Sequence, residues 1–186
     1  MNSSALTLGE SIASEASMTS PLVSLLSELQ DVISNLSDLH YLQKPVGVVE
    51  SSIGEHVRHC LDHVRSLLDA VKGGELNYDH RQRGTAVEKS RGAATESIQS
   101  LLAELESLPP AMEQHSIRIS VMMRCDGVPF DVPTSVGREL AYVLAHTIHH
   151  NALIAAMVKT LGGWLPDRFG YAPSTVRHMR DHSCAR

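Results

Sequence analysis

The sequence predicts a mainly helical (all-α) single domain, and three observations support this prediction. Aromatic residues make up only 4% of the chain although 42% of it is hydrophobic, so aliphatic side chains must form most of the core. Apolar residues recur at intervals of three and four along several stretches. Serine, glycine and proline residues mark the beginnings and ends of these stretches. At 186 residues, the chain is long enough to bury one core.

Four long helices follow from this periodicity. The second has the clearest start, because Ser52 and Glu55 have the spacing of a capping box. Paired glycines are expected to end the second and the fourth helix. The predicted helices run from Ser20 to about Tyr41, from Ser52 to Gly73, from about Thr85 to Ser107, and from Thr134 or Ser135 to Gly162.

A small β-hairpin is predicted between the third and fourth helices. Residues 116–125 and 128–132 alternate apolar and polar side chains on either side of Asp126-Gly127, a dipeptide that favours tight hairpin turns. The prediction is therefore a four-helix bundle with one long crossover and an inserted hairpin. Residues 1–19 are expected to form a flexible arm, 20–180 the single domain, and 181–186 a tail.

Charge and cysteine content exclude several classes of function. The net charge is -5 and no long basic run occurs, which argues against a nucleic-acid partner. The three cysteines have no CxxC spacing, and no secretory segment is evident, so reduced thiols and a cytoplasmic location are expected. No apolar stretch approaches the roughly 20 residues that span a bilayer, so no membrane association is expected.

The chain contains 11 histidines, which raises the expectation of a metal site. His146 and His150 lie four residues apart on the fourth helix, so both rings project from one face. Two histidines at this spacing can chelate one ion. The alternative is a pair of hydrogen-bonded core or surface histidines, which is the more common explanation of an isolated pair.

The second helix offers three further histidines within two turns: His56, His59 and His63. One of them could complete a three-histidine site, leaving positions open for water or substrate, as in catalytic metal centres. The others would then be solvated or would support the ligands. From spacing alone, the choice among the three stays open.

The segment Ser52-Ile53-Gly54-Glu55-x-x-x-His59 on an early helix, with His146-x-x-His149-His150 on the last long helix, resembles the DinB-like (YfiT-like) superfamily. The resemblance covers about residues 21–161. It implies a four-helix bundle, expected to be a homodimer, with His59, His146 and His150 as ligands of one divalent ion. Three imidazoles suit zinc, nickel or iron. His56, His63, Asp62, Tyr142 and Arg81 are candidates for supporting the ligands or lining a pocket.

In some branches of that superfamily the activity is a metal-dependent thiol transfer, so a small-molecule substrate, such as a low-molecular-weight thiol, is expected. Arg81, Arg83 and Arg138 could hold a carboxylate of the substrate. Asn151-Ala152-Leu153 after the histidine pair departs from the family pattern. The hairpin, the Tyr78-Asp79-His80-Arg81 segment and the tail from Phe169 to Thr175 indicate a distinct subfamily. The main expectation is a metal-dependent transferase or hydrolase. The alternative is a non-catalytic metal-binding or stress-related regulatory protein, and a metal-free interaction protein is a third possibility.

The segment that follows the fourth helix contains Trp164, Phe169 and Tyr171. Aromatic rings and fixed proline φ angles favour the docking of such a segment. All three rings are predicted to pack on the bundle and to help wall the metal pocket or a dimer interface.

Overall fold

Four long helices form the body of the protein in the computed structural model, which describes residues 17–73, 75–109, 112–125 and 127–183. They are α1 (Ser20–Ser34), α3 (Ile53–Val71), α5 (Arg91–Glu106) and α6 (Val136–Thr160). Around the bundle, each packs against two neighbours in the order α1, α5, α3, α6. The longest connection, from α5 to α6, therefore crosses one end of the bundle. The predicted fold class is confirmed.

Two of the predicted helices are divided in the structure. The first ends at Ser34, and a short helix α2 (Asp38–Leu42) follows because the Ser37 side chain accepts a hydrogen bond from the His40 amide. The third is split at Ser90 into α4 (Ala86–Lys89) and α5, since Ser90 is extended and caps α5. In both places a serine cap interrupts an apolar pattern that would otherwise continue.

The start of α3 agrees with the sequence prediction. The Ser52 side chain accepts from the Glu55 amide at 3.2 Å, and the Glu55 carboxylate accepts from the Ser52 amide at 2.6 Å. This capping box fixes the first turn of the helix that carries His56, His59 and His63. Gly54, in the same turn, is buried against the backbone of α4.

The hairpin differs from the prediction in its register and loop length. Strands β1 (Ser116–Val121) and β2 (Phe130–Ser135) pair antiparallel, with Val121 opposite Phe130, so an eight-residue loop replaces a tight Asp-Gly turn. Asp126 itself lies outside the described residues. The ladder stops at Val121 because the next amide, Met122, donates to the Asp79 carboxylate at 2.9 Å instead.

The hairpin lies against the helices through the segment after α3. The Ser120 amide donates to the Leu76 carbonyl at 2.9 Å, and Leu76 is fully buried. This segment therefore acts as a third, minimal strand beside β1. It places Tyr78, Asp79 and Arg81 between the hairpin and α3.

The segment after α6 docks on the bundle through Phe169. This ring is 3% exposed, whereas Trp164 and Tyr171 are 54% and 41% exposed, so the structure buries one of the three rings, and a role of the other two at a dimer interface stays a prediction. Gly170 has a φ of 79° and lies so close to the α6 backbone at Ala152 that a side chain would not fit. The final helix, α7 (Pro173–Ser183), extends beyond residue 180, so the predicted tail boundary falls inside it.

Replacing Phe169 by Ala is expected to lower the free energy of unfolding by about 3 kcal/mol or more, because a buried aromatic ring would leave a cavity. Tyr171→Ala is the matched control, since a partly exposed ring should cost less than about 1 kcal/mol. Urea unfolding followed by circular dichroism measures both. Equal losses in the two variants would contradict the view that Phe169 anchors the segment.

Candidate metal centre and adjoining cavity

Three histidines from two helices meet between α3 and α6. His59, His146 and His150 each present one ring nitrogen, and these nitrogens lie within 4.8 Å of one another. His59 Nε2 and His146 Nε2 are 2.9 Å apart. Side chains in these positions could hold one metal ion. The structure thus brings together the three residues predicted as ligands.

Burial keeps these imidazoles neutral, which a metal ligand requires. Loss of solvation lowers the pKa of His59 to about 2, of His150 to about 3 and of His146 to about 4. Neighbouring histidines lower the pKa of all three further, and Arg81 adds to the effect at His59 and His146. At neutral pH all three rings are therefore uncharged, and each has one ring nitrogen with a lone pair; in His59 this nitrogen is Nδ1, which accepts from Arg81.

His56 supports His150 rather than joining the cluster. Their Nδ1 atoms are 2.9 Å apart, and His56 Nε2 lies 2.8 Å from Ser51 Oγ. If His150 Nδ1 donates to His56, and His56 Nε2 donates in turn to Ser51, then His150 Nε2 is left bare. Such a hydrogen-bonded chain fixes the tautomer and orientation that a metal-binding imidazole needs.

His63 lies on the other side of the cluster and is 4% exposed. Its Nδ1 lies 2.9 Å from the His59 carbonyl oxygen, to which it donates. Its ring stacks on His146 with centroids 4.1 Å apart, and on Tyr78 with centroids 4.9 Å apart. Desolvation lowers the pKa of His63, so this ring is also neutral. His63 therefore packs against His146 and limits its rotation.

Asp62, another candidate for supporting the ligands, bonds to an arginine. Its carboxylate accepts from Arg58 at 2.7 Å, and Arg58 also pairs with Glu88 at 2.6 Å. This ion-pair group joins α3 to α4. Within the part of the chain that the structure describes, no hydrogen bond links Asp62 to a cluster histidine.

A cavity of about 610 Å³ adjoins the cluster, a size suited to a small-molecule ligand. His59 and His146 contribute to its wall, as do Tyr142 and Arg81. The hairpin forms an opposite, apolar side with Ile119, Val121, Met123, Val132 and Pro133. The inserted hairpin therefore completes a pocket beside the three histidines.

Arg81 and Tyr142, two predicted pocket residues, are positioned next to the cluster. One Arg81 nitrogen lies 2.6 Å from His59 Nδ1. The Tyr142 ring is stacked near His146, with centroids 5.7 Å apart. Desolvation, reinforced by Glu139, raises the pKa of Tyr142, which therefore stays protonated at neutral pH.

Glu139 and Tyr78 are cavity residues that sequence reasoning missed. Glu139 is 5% exposed and accepts hydrogen bonds from the Tyr78 hydroxyl at 3.0 Å and from the Thr134 hydroxyl at 2.7 Å. Burial raises the pKa of Tyr78. In the sequence, Glu139 has the position of an ordinary acidic residue in the first turn of a helix, and its spacing to Tyr78 carries no local signal.

The metal-free protein is expected to lose stability as the pH falls from about 6.5 towards 4. The unfolded chain binds protons on these histidines near their ordinary pKa of 6.5, whereas the folded cluster resists protonation to lower pH. More protons are then bound in the unfolded state, so the free energy of unfolding decreases with decreasing pH.

Urea unfolding of metal-stripped protein at about pH 7 and pH 5 measures this pH dependence. A variant with His146→Asn should show a smaller decrease, while His178→Asn, in exposed α7, should behave as the wild type. An unfolding midpoint that is the same at both pH values in the wild type would contradict the prediction.

None of the described helices combines the length and apolar character that a membrane crossing requires.

The comparisons with known proteins agree with the fold. A DinB-like protein, YjoA, from Bacillus subtilis has a solved structure that aligns with a TM-score of 0.60 and 19% identity. The alignment covers 82% of this chain and 97% of that one.

Sequence comparison gives two further matches. FK506-binding protein 5 of Rhizopus delemar is 35% identical over 106 residues, which are 56% of this chain and 28% of that protein. The chain thus spans little more than a quarter of this relative. The family profile of the DinB superfamily matches residues 22–154, well over half of the chain. The chain therefore belongs to the DinB superfamily.

Proposed function

We propose that the protein binds one divalent metal ion through His59, His146 and His150 and acts as a metal-dependent transferase, of thiol type, or hydrolase on a small molecule. The observation that carries the proposal is the position of the three histidines at the wall of a ligand-sized cavity. Three imidazole ligands leave coordination positions free, as is typical of catalytic rather than structural sites.

The donor set fits such an ion. The three imidazoles are neutral at physiological pH, and His56 provides the outer hydrogen-bond partner that one of them needs. When bound, the ion would supply positive charge that favours a thiolate or a deprotonated water at neutral pH. Zinc, nickel and iron all accept three nitrogen ligands, so the donor set does not select among them.

The surrounding residues have separate tasks in this proposal. His63 and Tyr78 hold His146 in place by ring stacking. The apolar side of the hairpin excludes water from the cavity and holds an apolar part of the substrate. Tyr142, protonated and next to His146, can donate a hydrogen bond to the substrate.

A non-catalytic metal-binding or regulatory protein is the second candidate. Arg81 favours it, because the guanidinium lies against His59 at the cavity wall and would obstruct the approach of a substrate to the ion from that side. In this case the ion would be held without turnover. The two candidates differ in whether an exogenous ligand reaches the ion.

Elemental analysis of the purified protein tests the metal site. About one divalent ion per chain is expected, and protein that neither retains nor takes up an ion would contradict the proposal. Cobalt-substituted protein then separates the two candidates. A change in the cobalt absorption bands on addition of a thiol supports an open catalytic site, whereas unchanged bands support the non-catalytic alternative.

We also propose that the protein is a homodimer in the cytoplasm. Large apolar side chains that are about half exposed or more, such as Trp164, Phe130 and Val128, support an intersubunit contact. Light scattering coupled to gel filtration would measure the mass. A monomer at micromolar concentration would contradict the dimer.

A further inference from the structure

One face of α6 joins the histidine cluster to an arginine at the far end of the cavity. Arg138, Tyr142, His146 and His150 follow one another at intervals of four residues, so their side chains lie on one face of the helix. Arg138, Tyr142 and His146 all contribute to the cavity wall. The helical rise separates Arg138 from His146 by about 12 Å along the axis.

Four charged side chains line this cavity, and three are already paired within the protein. The Glu139 carboxylate accepts from two hydroxyl groups, and the Asp79 carboxylate accepts from the Met122 amide. The Arg81 guanidinium donates to His59. Their hydrogen-bonding capacity is thus partly used in holding the cavity together.

Arg138 is the exception among these four. Its guanidinium carbon lies 6.0 Å from the centre of the Tyr142 ring. Among the described residues, no side chain or carbonyl group forms a hydrogen bond or an ion pair with the Arg138 guanidinium. A guanidinium offers five N–H donors in a planar arrangement that matches a carboxylate. Arg138 can therefore pair with an anionic group of a ligand.

The cavity between the two ends is apolar on one side. Ile119, Val121 and Val132 of the hairpin face the α6 residues across it. A ligand that spans from the cluster to Arg138 would therefore place hydrocarbon, rather than charge, against the hairpin.

We infer that the cavity binds an elongated carboxylic acid, whose carboxylate pairs with Arg138 while its opposite end reaches the histidine cluster. Arg138 is then a specificity-determining residue that selects acids by charge and by length. The inference rests on the proposed metal site for the chemical group at the end of the ligand that reaches the histidine cluster. Recognition of the carboxylate at the other end depends on Arg138 alone.

Mercaptocarboxylic acids of different length test both ends at once on cobalt-substituted protein. Mercaptoacetate, mercaptohexanoate and mercaptoundecanoate are compared with the mercaptoalcohols of equal length by titrating the cobalt absorption bands. The wild type should bind the longer acids about tenfold more tightly than the matching alcohols, and should show no such preference for mercaptoacetate, which is too short to reach Arg138.

Arg138→Gln should abolish the preference for the long acids while leaving affinity for the alcohols and the cobalt content unchanged. Arg138→Lys should retain part of the preference, because the charge remains. Arg118→Gln, on the exposed part of β1, is the matched control and should bind as the wild type. A preference that is absent in the wild type, or unchanged in Arg138→Gln, would overturn the inference.

Failure of the metal site can be distinguished from failure of the inference. If cobalt does not bind at all, the proposed function fails, and the carboxylate end is then tested by calorimetry on metal-free protein with decanoate and decanol. Binding of decanoate that is weakened about tenfold in Arg138→Gln but not in Arg118→Gln supports the inference. Equal binding of decanoate by wild type and Arg138→Gln overturns it.

Discussion

Replacing His150 by Ala is expected to lower the metal affinity of the protein by more than about a hundredfold, and so to leave most purified chains without an ion. His150 lies on α6 one turn after His146, and its loss would leave two imidazoles of the cluster. His56 would also lose the ring beside its Nδ1. Elemental analysis after dialysis against a weak chelator measures the occupancy.

His115→Ala is the control for this experiment, because His115 is exposed just before β1 and lies outside the cluster. Thermal unfolding of both metal-free variants shows whether the fold is retained. If the two variants hold equal amounts of metal, the assignment of His150 as a ligand is wrong. His56→Ala, expected to reduce affinity only about ten- to hundredfold, tests the supporting role of His56 in the same assay.

The pair of histidines on α6 could be predicted from the sequence, because the spacing that brings the two rings together is local. A separation of four residues places His146 and His150 on one helical face whatever the rest of the fold does. Predicting that His59 belongs to the cluster required more information, because its distance from α6 depends on how α3 packs. The family resemblance supplied this information. The structure places His59 rather than His56 in the cluster, and its role as a ligand stays a prediction.

The cavity could not be predicted in the same way, because its wall is built from distant segments. Glu139 and Tyr78 are 61 residues apart, and their hydrogen bond depends on the segment after α3 lying beside the hairpin. Apolar periodicity reports which side of an element is buried, but not which loop covers it. The partner of Asp62 could not be predicted for a related reason, since Arg58 is held by an ion pair with α4.

The breaks in the first and third predicted helices illustrate a second limit of prediction from sequence. Apolar spacing continues through Leu36 and Leu39, although α1 ends at Ser34 and the next helix begins only at Asp38. The serine that caps the next helix decides the break, and serine is common enough in helices that its presence alone does not predict one. At Ser90, the break lets α4 lie across the first turn of α3.

Because of that contact, we expect a large loss of stability for Gly54→Ala. A Cβ atom at Gly54 would lie 2.2 Å from the Glu88 carbonyl oxygen and 2.8 Å from Tyr41 Cε1. Neither neighbour can easily move: the Glu88 oxygen belongs to the α4 backbone, and the Tyr41 hydroxyl donates to the Val87 carbonyl at 2.7 Å. We expect the free energy of unfolding to fall by about 3 kcal/mol or more.

Gly92→Ala provides a matched control, because Gly92 is also helical but has open space around it, with Ser90 Oγ the nearest atom at 3.6 Å. Alanine there should leave stability unchanged or raise it by less than about 1 kcal/mol. Urea unfolding of both variants in the metal-free state separates steric overlap from any loss of metal.

The same substitution also tests why a glycine stands in the Ser52-Ile53-Gly54-Glu55 segment. If Gly54 serves close packing, then displacing α4 should shift the first turns of α3, which carry His56 and His59, and metal affinity should fall together with stability. Gly92→Ala should change neither. A Gly54→Ala variant with the stability of the wild type would show that α4 can move without a loss of stability. The contact with α4 would then not explain the glycine in this segment.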